Sequence, residues 1–472
     1  MNNIIRTRIA PSPTGDPHIG TLYIAIFNYI FAKQNNGEFI LRIEDTDRER
    51  LHEGSTDKII ESLKWARLTP NEDPIKGGRY APYIQSQRLD IYRKYIDILI
   101  NNKSAYYCFC TKDRLEKLRN EAQLKHIQPK YDKFCLSLRE EVIDQNLKDK
   151  KEYVVRLSVP DNIDIKFKDL IRGNVIINAN SIDDQILLKS NGYPTYHFSS
   201  VVDDHLMKIT HVIRGEEWIS STPKHILLYK AFNWEIPTFG HLSLLRNRDK
   251  SKLSKRKNNT SIEWFKNEGY LPEALINFLI LLGWSHPEGK EIITINEFKK
   301  LFSWDRVTKG GPIFDIDKLN WMNGLYIRQK SNKELESLLK EYLDDIDVNK
   351  RLKIIELEKD RLKKLSDFKD MIEYFVNDPK IDDTILYEKY DKTEVSKILT
   401  KTLEILGEYK ITKQAEEKLK EFAEHNNYKI GDFFMVIRVA ISGRKATPPL
   451  IETMDIIGFE TITGRIKNII GR

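Results

Sequence analysis

The chain has 472 residues, 40% hydrophobic and 31% charged, with 77 Lys+Arg against 70 Asp+Glu and a formal net charge of +7. That length allows two to four domains, each with its own core, and the balance is ordinary for a globular protein that can meet a nucleic acid. No apolar run reaches the ~18–20 residues that span a bilayer, and three cysteines exclude a disulfide scaffold.

Arg6 and Arg8 interrupt the first apolar stretch, so it does not read as a secretory leader and the expected compartment is a reducing cytoplasm. Residues 3–10 are predicted as a strand. Pro11, Pro13, Gly15 and Pro17 then force a turn, because proline fixes φ and removes donors. From His18 the apolar positions Ile19, Leu22, Tyr23, Ile26, Phe27, Ile30 and Phe31 keep helical spacing with one buried face. That helix is expected to stop near Asn35-Asn36-Gly37. Glu38 to Ile43 is a second strand and runs into Glu44-Asp45-Thr46-Asp47. Strand, turn, helix, strand is the opening unit of a parallel nucleotide-binding sheet, where ligands sit at the carboxyl ends of the strands.

Residues 92–195 look like an insertion. They hold all three cysteines, the Lys-rich stretch 111–150, and strand-like segments at Tyr153–Val159 and Gln185–Lys189. The nucleotide-binding pattern resumes with a predicted strand at Ile209–Ile213. A helix is expected from Ser220, with Ser221 and Thr222 as caps and Pro223 in its first turn. A further strand is predicted at His241–Leu245, leading into a basic loop. Arg248 to Lys257 carries six positive residues and one negative. Leu271–Trp284 reads as a buried helix, and beyond ~330 the pattern is helical to the end, with charges of both signs.

Two segments make best sense as halves of one ATP site. A helix N-terminus after a Gly/Pro turn offers N–H donors and a positive dipole end. His18 sits there and can donate to a phosphate oxygen, while Gly20 leaves room for adenosine. Lys252 and Lys255, three apart on a short loop, can close over departing pyrophosphate as point charges. Alone, His18 would be a cap and the lysines a solvated cluster. Together, His18-Ile19-Gly20-Thr21 and Lys252-Leu253-Ser254-Lys255-Arg256 resemble the "HIGH" and "KMSKS" signatures of class I aminoacyl-tRNA synthetases. Thr21 replaces the second histidine.

The resemblance narrows to bacterial glutamyl-tRNA synthetases. It is carried by Arg8–Gly15, Ile43–Asp47, Gly192–His197, Val202–His205 and Ile213–Trp218, extends through Leu271–Leu275 and Trp321–Gly324, and fades after ~330. It implies an α/β fold with a Rossmann-type catalytic domain (1–91 and 196–248), an inserted acceptor-end-binding domain (92–195), a stem-contact region with the lysine loop (249–331) and a helical anticodon-binding domain (332–472). It implies glutamate–tRNA ligase activity with ATP and Mg²⁺, on tRNA-Glu with tRNA-Gln left open as a second acceptor, by a monomer. Free glutamate has two carboxylates and one ammonium. Arg8 and Arg214 offer forks for the former and Glu44, beside Ser12, an anion for the latter. By resemblance, Arg8 takes the side-chain carboxylate, Arg214 the α-carboxylate region, Tyr196 also touches the substrate, and Glu217 and Trp218 face ribose and adenine. Taken singly, Arg8 and Glu44 read better as a strand-end ion pair. Ser200 stands where some relatives have Asn.

Cys108, Cys110 and Cys135 fall within 28 residues, a soft-ligand cluster suited to tetrahedral zinc. Tyr131 matches the Tyr-x-x-x-Cys pattern of zinc-containing glutamyl enzymes and is the expected fourth ligand. His126 is its chemical competitor, and metal-free buried cysteines are the alternative.

Overall fold

The structure is a computed structural model that describes residues 4–253 and 259–471. They form two compact units: 1–266 with 272–316, and 267–271 with 317–472.

In the first unit, β1 (Arg6–Ile9) is wholly buried and pairs in parallel with β2 (Glu38–Leu41), Arg8 opposite Ile40. Between them runs α1 (Ile19–Gln34), capped by His18, whose Nδ1 accepts the Gly20 amide at 2.9 Å, and closed at Asn35. One buried face was expected. The helix also buries Ala25, Asn28 and Ala32, while Phe31 is only half-buried. The reason is that α1 is covered on both sides. Asn28 donates to the Ile213 carbonyl at 3.0 Å, and Phe27 meets Phe298 and Phe302 edge-on with centroids 5.8 and 6.0 Å apart. Each such aromatic pair contributes about 0.5–1.5 kcal/mol beyond area burial.

The chain continues through α2 (Ser55–Trp65) and α3 (Leu89–Asn101) to β3 (Ala105–Cys108), α4 (Lys112–Leu124), α5 (Glu140–Lys148), β4 (Val154–Leu157), β5 (Asp164–Asp169), β6 (Gly173–Asn178) and β7 (Ile186–Leu188). Strands β3, β4 and β7 make a separate antiparallel sheet. Strands β5 and β6 do not stay within the inserted stretch. They extend the sheet of β8 (His211–Gly215) and β9 (Thr238–Leu242), in the order β6-β5-β9-β8, with Asp169 opposite Phe239. Between β7 and β8 lies α6 (Tyr196–Leu206), and between β8 and β9 lies α7 (Thr222–Ala231). The Thr210 amide donates to the Arg6 carbonyl at 3.0 Å, which sets β8 beside β1.

Three local expectations need correction. The strand predicted at 209–213 starts at His211, because the Ile209 amide still closes α6 onto the Asp204 carbonyl (2.8 Å). The strand predicted at 241–245 is Thr238–Leu242, because the Leu244 amide leaves the ladder for the Glu216 carboxylate (3.0 Å). The helix expected from Ser220 is preceded by a 3₁₀ segment, Glu216–Ser221. Ser221 makes no side-chain cap bond, and the Thr222 hydroxyl donates to the Trp218 carbonyl (3.0 Å).

The unit ends with α8 (Ile262–Asn267), α9 (Pro272–Gly283) and α10 (Ile295–Leu301). The predicted apolar helix at 271–284 is α9, and it is buried. Gly283 lets it approach α1: a Cβ there would fall 2.4 Å from the Tyr23 hydroxyl. No described helix is long and apolar enough to cross a membrane. The second unit is helical throughout, with a core that includes Tyr374, Leu399, Phe433, Met454 and Ile466.

Candidate active site

The carboxyl ends of β1, β2, β8 and β9 open into one cavity of about 850 Å³. Arg8, Ser12, His18, Gly20, Glu44, Tyr196, Arg214, Glu217, Trp218 and Lys252 all line it. Those are the residues singled out from sequence for ATP and glutamate, save Lys255, which lies outside the described residues. Local chemistry explains the gathering. The Pro-rich turn carries Ser12 over the strand end, where the Pro11 carbonyl accepts the Glu44 amide at 3.1 Å. Gly15, at φ 117°, reverses the chain and donates its amide to the Ser55 hydroxyl (3.2 Å). The Ile19 amide donates to the Thr260 carbonyl at 2.8 Å, anchoring the start of α1. Because His18 Nδ1 accepts within the cap, its Nε2 carries the proton in the neutral ring.

Sequence reasoning missed the layer beneath. Arg42 is fully buried and donates to Glu44 (2.9 Å) and Asp204 (2.7 Å), with Asp203 at 3.7 Å. Arg8 donates through Nε to Asp204 (3.1 Å), and Arg88 to Asp203 (2.7 Å). Three buried guanidiniums thus meet three buried carboxylates, the pairing such groups need if they are to remain charged. Burial pushes the Glu44 carboxyl up to about 7 against the pull of Arg42. Burial also works against the Asp204 carboxylate, yet Arg8 and Arg42 hold its carboxyl below the usual range. The available signal was two adjacent acids, Asp203 and Asp204, directly after Val201-Val202 in a predominantly buried helix.

Arg214 is different. It is 5% exposed and, among the described residues, has no carboxylate partner. Its five N–H groups go to neutral acceptors: His241, Tyr196, His225, Thr222 and the Trp218 carbonyl, at 2.9–3.4 Å. Tyr196 in turn packs against Trp218, centroids 4.3 Å apart. A buried cation compensated only by dipoles at a cavity wall favours an anionic ligand. Gly215 leaves room beside it for the Glu217 carboxylate, which a Cβ there would displace.

Away from the cavity, Cys108, Cys110 and Cys135 bring their sulfurs within 4.8 Å of one another. Cys110 and Cys135 are 3.5 Å apart, and the Tyr131 hydroxyl is 3.2 Å from the Cys110 sulfur. Tetrahedral Zn–S bonds of about 2.3 Å put sulfurs about 3.8 Å apart, so the trio is compatible with zinc. Hydrogen bonding with Cys135, opposed by burial, pulls the Cys108 thiol below its usual value. His126 is exposed in the turn after α4 and is not part of the cluster.

Comparison with known proteins agrees with this layout. The family described as tRNA synthetases class I (E and Q), catalytic domain, matches residues 4–321, and an anticodon-binding-domain family matches 334–470. A glutamate–tRNA ligase of Fusobacterium nucleatum subsp. nucleatum is 44% identical, the match covering 99% of this chain and 97% of that one. One from Thermus thermophilus is 42% identical, covering 98% and 99%. Among solved structures, a glutamate tRNA ligase from Elizabethkingia meningosepticum in complex with its amino acid superposes with a TM-score of 0.89 at 36% identity, over 99% of both chains. A glutamate-tRNA synthetase from Elizabethkingia anophelis gives 0.89 at 37% identity, over 99% of this chain and 100% of that one.

Proposed function

As the chain belongs to the class I tRNA synthetases for glutamate and glutamine, we propose that it activates glutamate with MgATP and transfers it to the terminal adenosine of tRNA-Glu. The observation that carries the amino-acid assignment is the charge pattern of the cavity. Arg214 lacks an anionic partner among the described residues, Arg8 has its Nε occupied by Asp204, and Glu44 is a buried anion. Two cations and one anion match the two carboxylates and the ammonium of glutamate.

In the first step the glutamate α-carboxylate attacks the α-phosphorus of ATP and pyrophosphate leaves. Arg8 and Arg214 hold the carboxylates, and Glu44 and Ser12 hold the ammonium. Tyr196, tilted against Trp218, lines the cavity beside the amino acid. His18 donates from the start of α1 to a phosphate oxygen, and Gly20 leaves room for the nucleoside. Glu217 and Trp218 take the ribose and adenine side. Lys252, exposed at the rim, and Lys255 beyond the described residues neutralise the leaving pyrophosphate. In the second step a ribose hydroxyl of the terminal adenosine attacks the mixed anhydride and AMP leaves. No covalent enzyme intermediate is required; positioning and preorganised charge carry the rate. The residues 92–195 approach the acceptor end, 249–331 the stem and 332–472 the anticodon. Zinc held by Cys108, Cys110, Cys135 and Tyr131 would cross-link the insertion. The enzyme works as a cytoplasmic monomer in this reading.

The test is glutamate attachment to purified tRNA-Glu and tRNA-Gln, side by side. Charging of tRNA-Glu alone marks a discriminating enzyme, and charging of both a nondiscriminating one. Charging of neither, beside an active control, refutes the proposal.

A further inference from the structure

Arg214 can only donate, so every nitrogen that faces it must present a lone pair. Its Nε–H points to His241 Nε2 at 3.2 Å. The neutral His241 ring must therefore carry its proton on Nδ1, and that atom is 2.6 Å from Asp169 Oδ2. The other Asp169 oxygen is fixed by the amides of Ile171 and Arg172, each at 2.9 Å. The Thr222 hydroxyl, 3.2 Å from His241 Nε2, directs its own proton to the Trp218 carbonyl and accepts from Arg214. On the far side His225 Nδ1 accepts from Arg214 at 3.3 Å, so its Nε2–H donates to His197 Nδ1 at 2.9 Å. Burial keeps His225 and His241 neutral, both held below the ordinary histidine value.

We propose that Asp169 and His241 are positioning residues for the amino-acid site. The Asp169 carboxylate holds the imidazole in the Nδ1–H tautomer, and its bare Nε2 fixes the plane of the Arg214 guanidinium, in which a substrate carboxylate takes over the contacts its terminal nitrogens now make to Tyr196 and the Trp218 carbonyl. The arrangement resembles the carboxylate–histidine pairs that set ring orientation elsewhere, with a guanidinium in place of a metal or nucleophile. It gives the inserted stretch a part in substrate recognition. Asp169 ends β5, and the pairing of β5 with β9 at Asp169 and Phe239 is what brings it to His241, two residues further along β9.

This inference rests on the reading of Arg214 as a carboxylate-binding residue, and the experiment separates the two. In Asp169→Asn the amide oxygen keeps the bonds from Ile171 and Arg172, so the turn after β5 is retained. The new NH₂ faces His241 Nδ1 and drives the ring to the Nε2–H tautomer, donor against donor at Arg214. Selective ¹⁵N-histidine spectra, with the His241 signal identified by its loss in His241→Phe, are expected to show Nδ1–H in the wild type and Nε2–H in the variant. The glutamate KM in tRNA charging is expected to rise roughly 10–100-fold while the ATP KM stays within about twofold. Adding Asp169→Asn to His241→Phe is expected to cost nothing further in glutamate KM. Wild-type His241 in the Nε2–H form would overturn the proposal, as would an unchanged glutamate KM in a variant whose tautomer has flipped. Failure of the wild type to charge tRNA with glutamate would instead remove the functional reading, leaving the tautomer result to stand by itself.

Discussion

Replacing Arg42 by methionine tests the layer beneath the site most directly. Arg42 is the centre of a neutral cluster, with Arg8, Arg42 and Arg88 against Glu44, Asp203 and Asp204. Methionine keeps most of the apolar stem and removes the central charge. Asp204 retains Arg8 and Asp203 retains Arg88, but Glu44 loses its only direct cationic contact among the described residues. Breaking a buried pair from one side costs about 3–5 kcal/mol. Glu44 has an escape: it can take a proton. Its carboxyl is already raised from 4.5 to about 7 by burial, against Arg42, and loss of Arg42 raises it further. A carboxyl raised on folding binds a proton that the unfolded chain has released, so the folded state loses stability as pH climbs from the unfolded value to the folded one. In the wild type that loss ends near 7; in the variant it continues above 7. Asp204, held low, contributes stability above its unfolded pKa, and the variant forfeits part of that at neutral and alkaline pH. Both effects have one sign. The deficit measured by urea unfolding of variant and wild type is expected near 3 kcal/mol at pH 6 and about 4 at pH 8, because the wild type itself gives up about 1.4 of the roughly 2.7 kcal/mol that one proton is worth over those two pH units. A deficit under about 1 kcal/mol, or one equal at both pH values, would refute the claim that Arg42 sustains the charge on Glu44.

The same carboxyl sets a kinetic expectation. Only ionised Glu44 takes the ammonium, so kcat/KM for glutamate rises as pH passes through about 7, and in Glu44→Gln that limb disappears along with roughly a hundredfold of kcat/KM. A wild-type profile flat from pH 6 to 8 would contradict it. His18→Ala is expected to lower turnover on the order of 10²–10³-fold, as loss of a preorganised donor does, and to cost about 1 kcal/mol of stability through the lost cap. Near-normal charging by that variant would remove His18 from the chemistry. Elemental analysis of the purified chain is expected to find about one zinc, falling steeply in Cys135→Ser. Far less metal in the wild type, with unaltered stability in chelator, would mean three metal-free thiols.

The parts of the site legible in the sequence share a physical property: each is specified by its neighbours in the chain. Pro11, Pro13, Gly15 and Pro17 dictate a turn whatever surrounds them, and the spacing after His18 dictates a helix, so the cradle at the start of α1 could be read directly. The boundaries that moved were those set from outside. Leu244 leaves β9 because Glu216, from another segment, takes its amide, and nothing within residues 238–245 signals that. The supporting charges lay further out of reach. Arg42 and Glu44, two apart just past a strand end, face one way by strand periodicity, and Asp203-Asp204 follows Val201-Val202 in a buried helix, but neither pattern names its partner. The partners are fixed by an electrostatic condition. A buried guanidinium must find acceptors, and they are supplied by whichever element the topology brings alongside: α6 for Arg8 and Arg42, and for Arg214 an imidazole set by a carboxylate from β5. Residues that touch a ligand are held to the loops at strand ends by the geometry of a parallel sheet, and so fall into short motifs. Residues that hold them meet no such constraint, so they scatter along the chain, and only the packed structure reveals which acid serves which arginine.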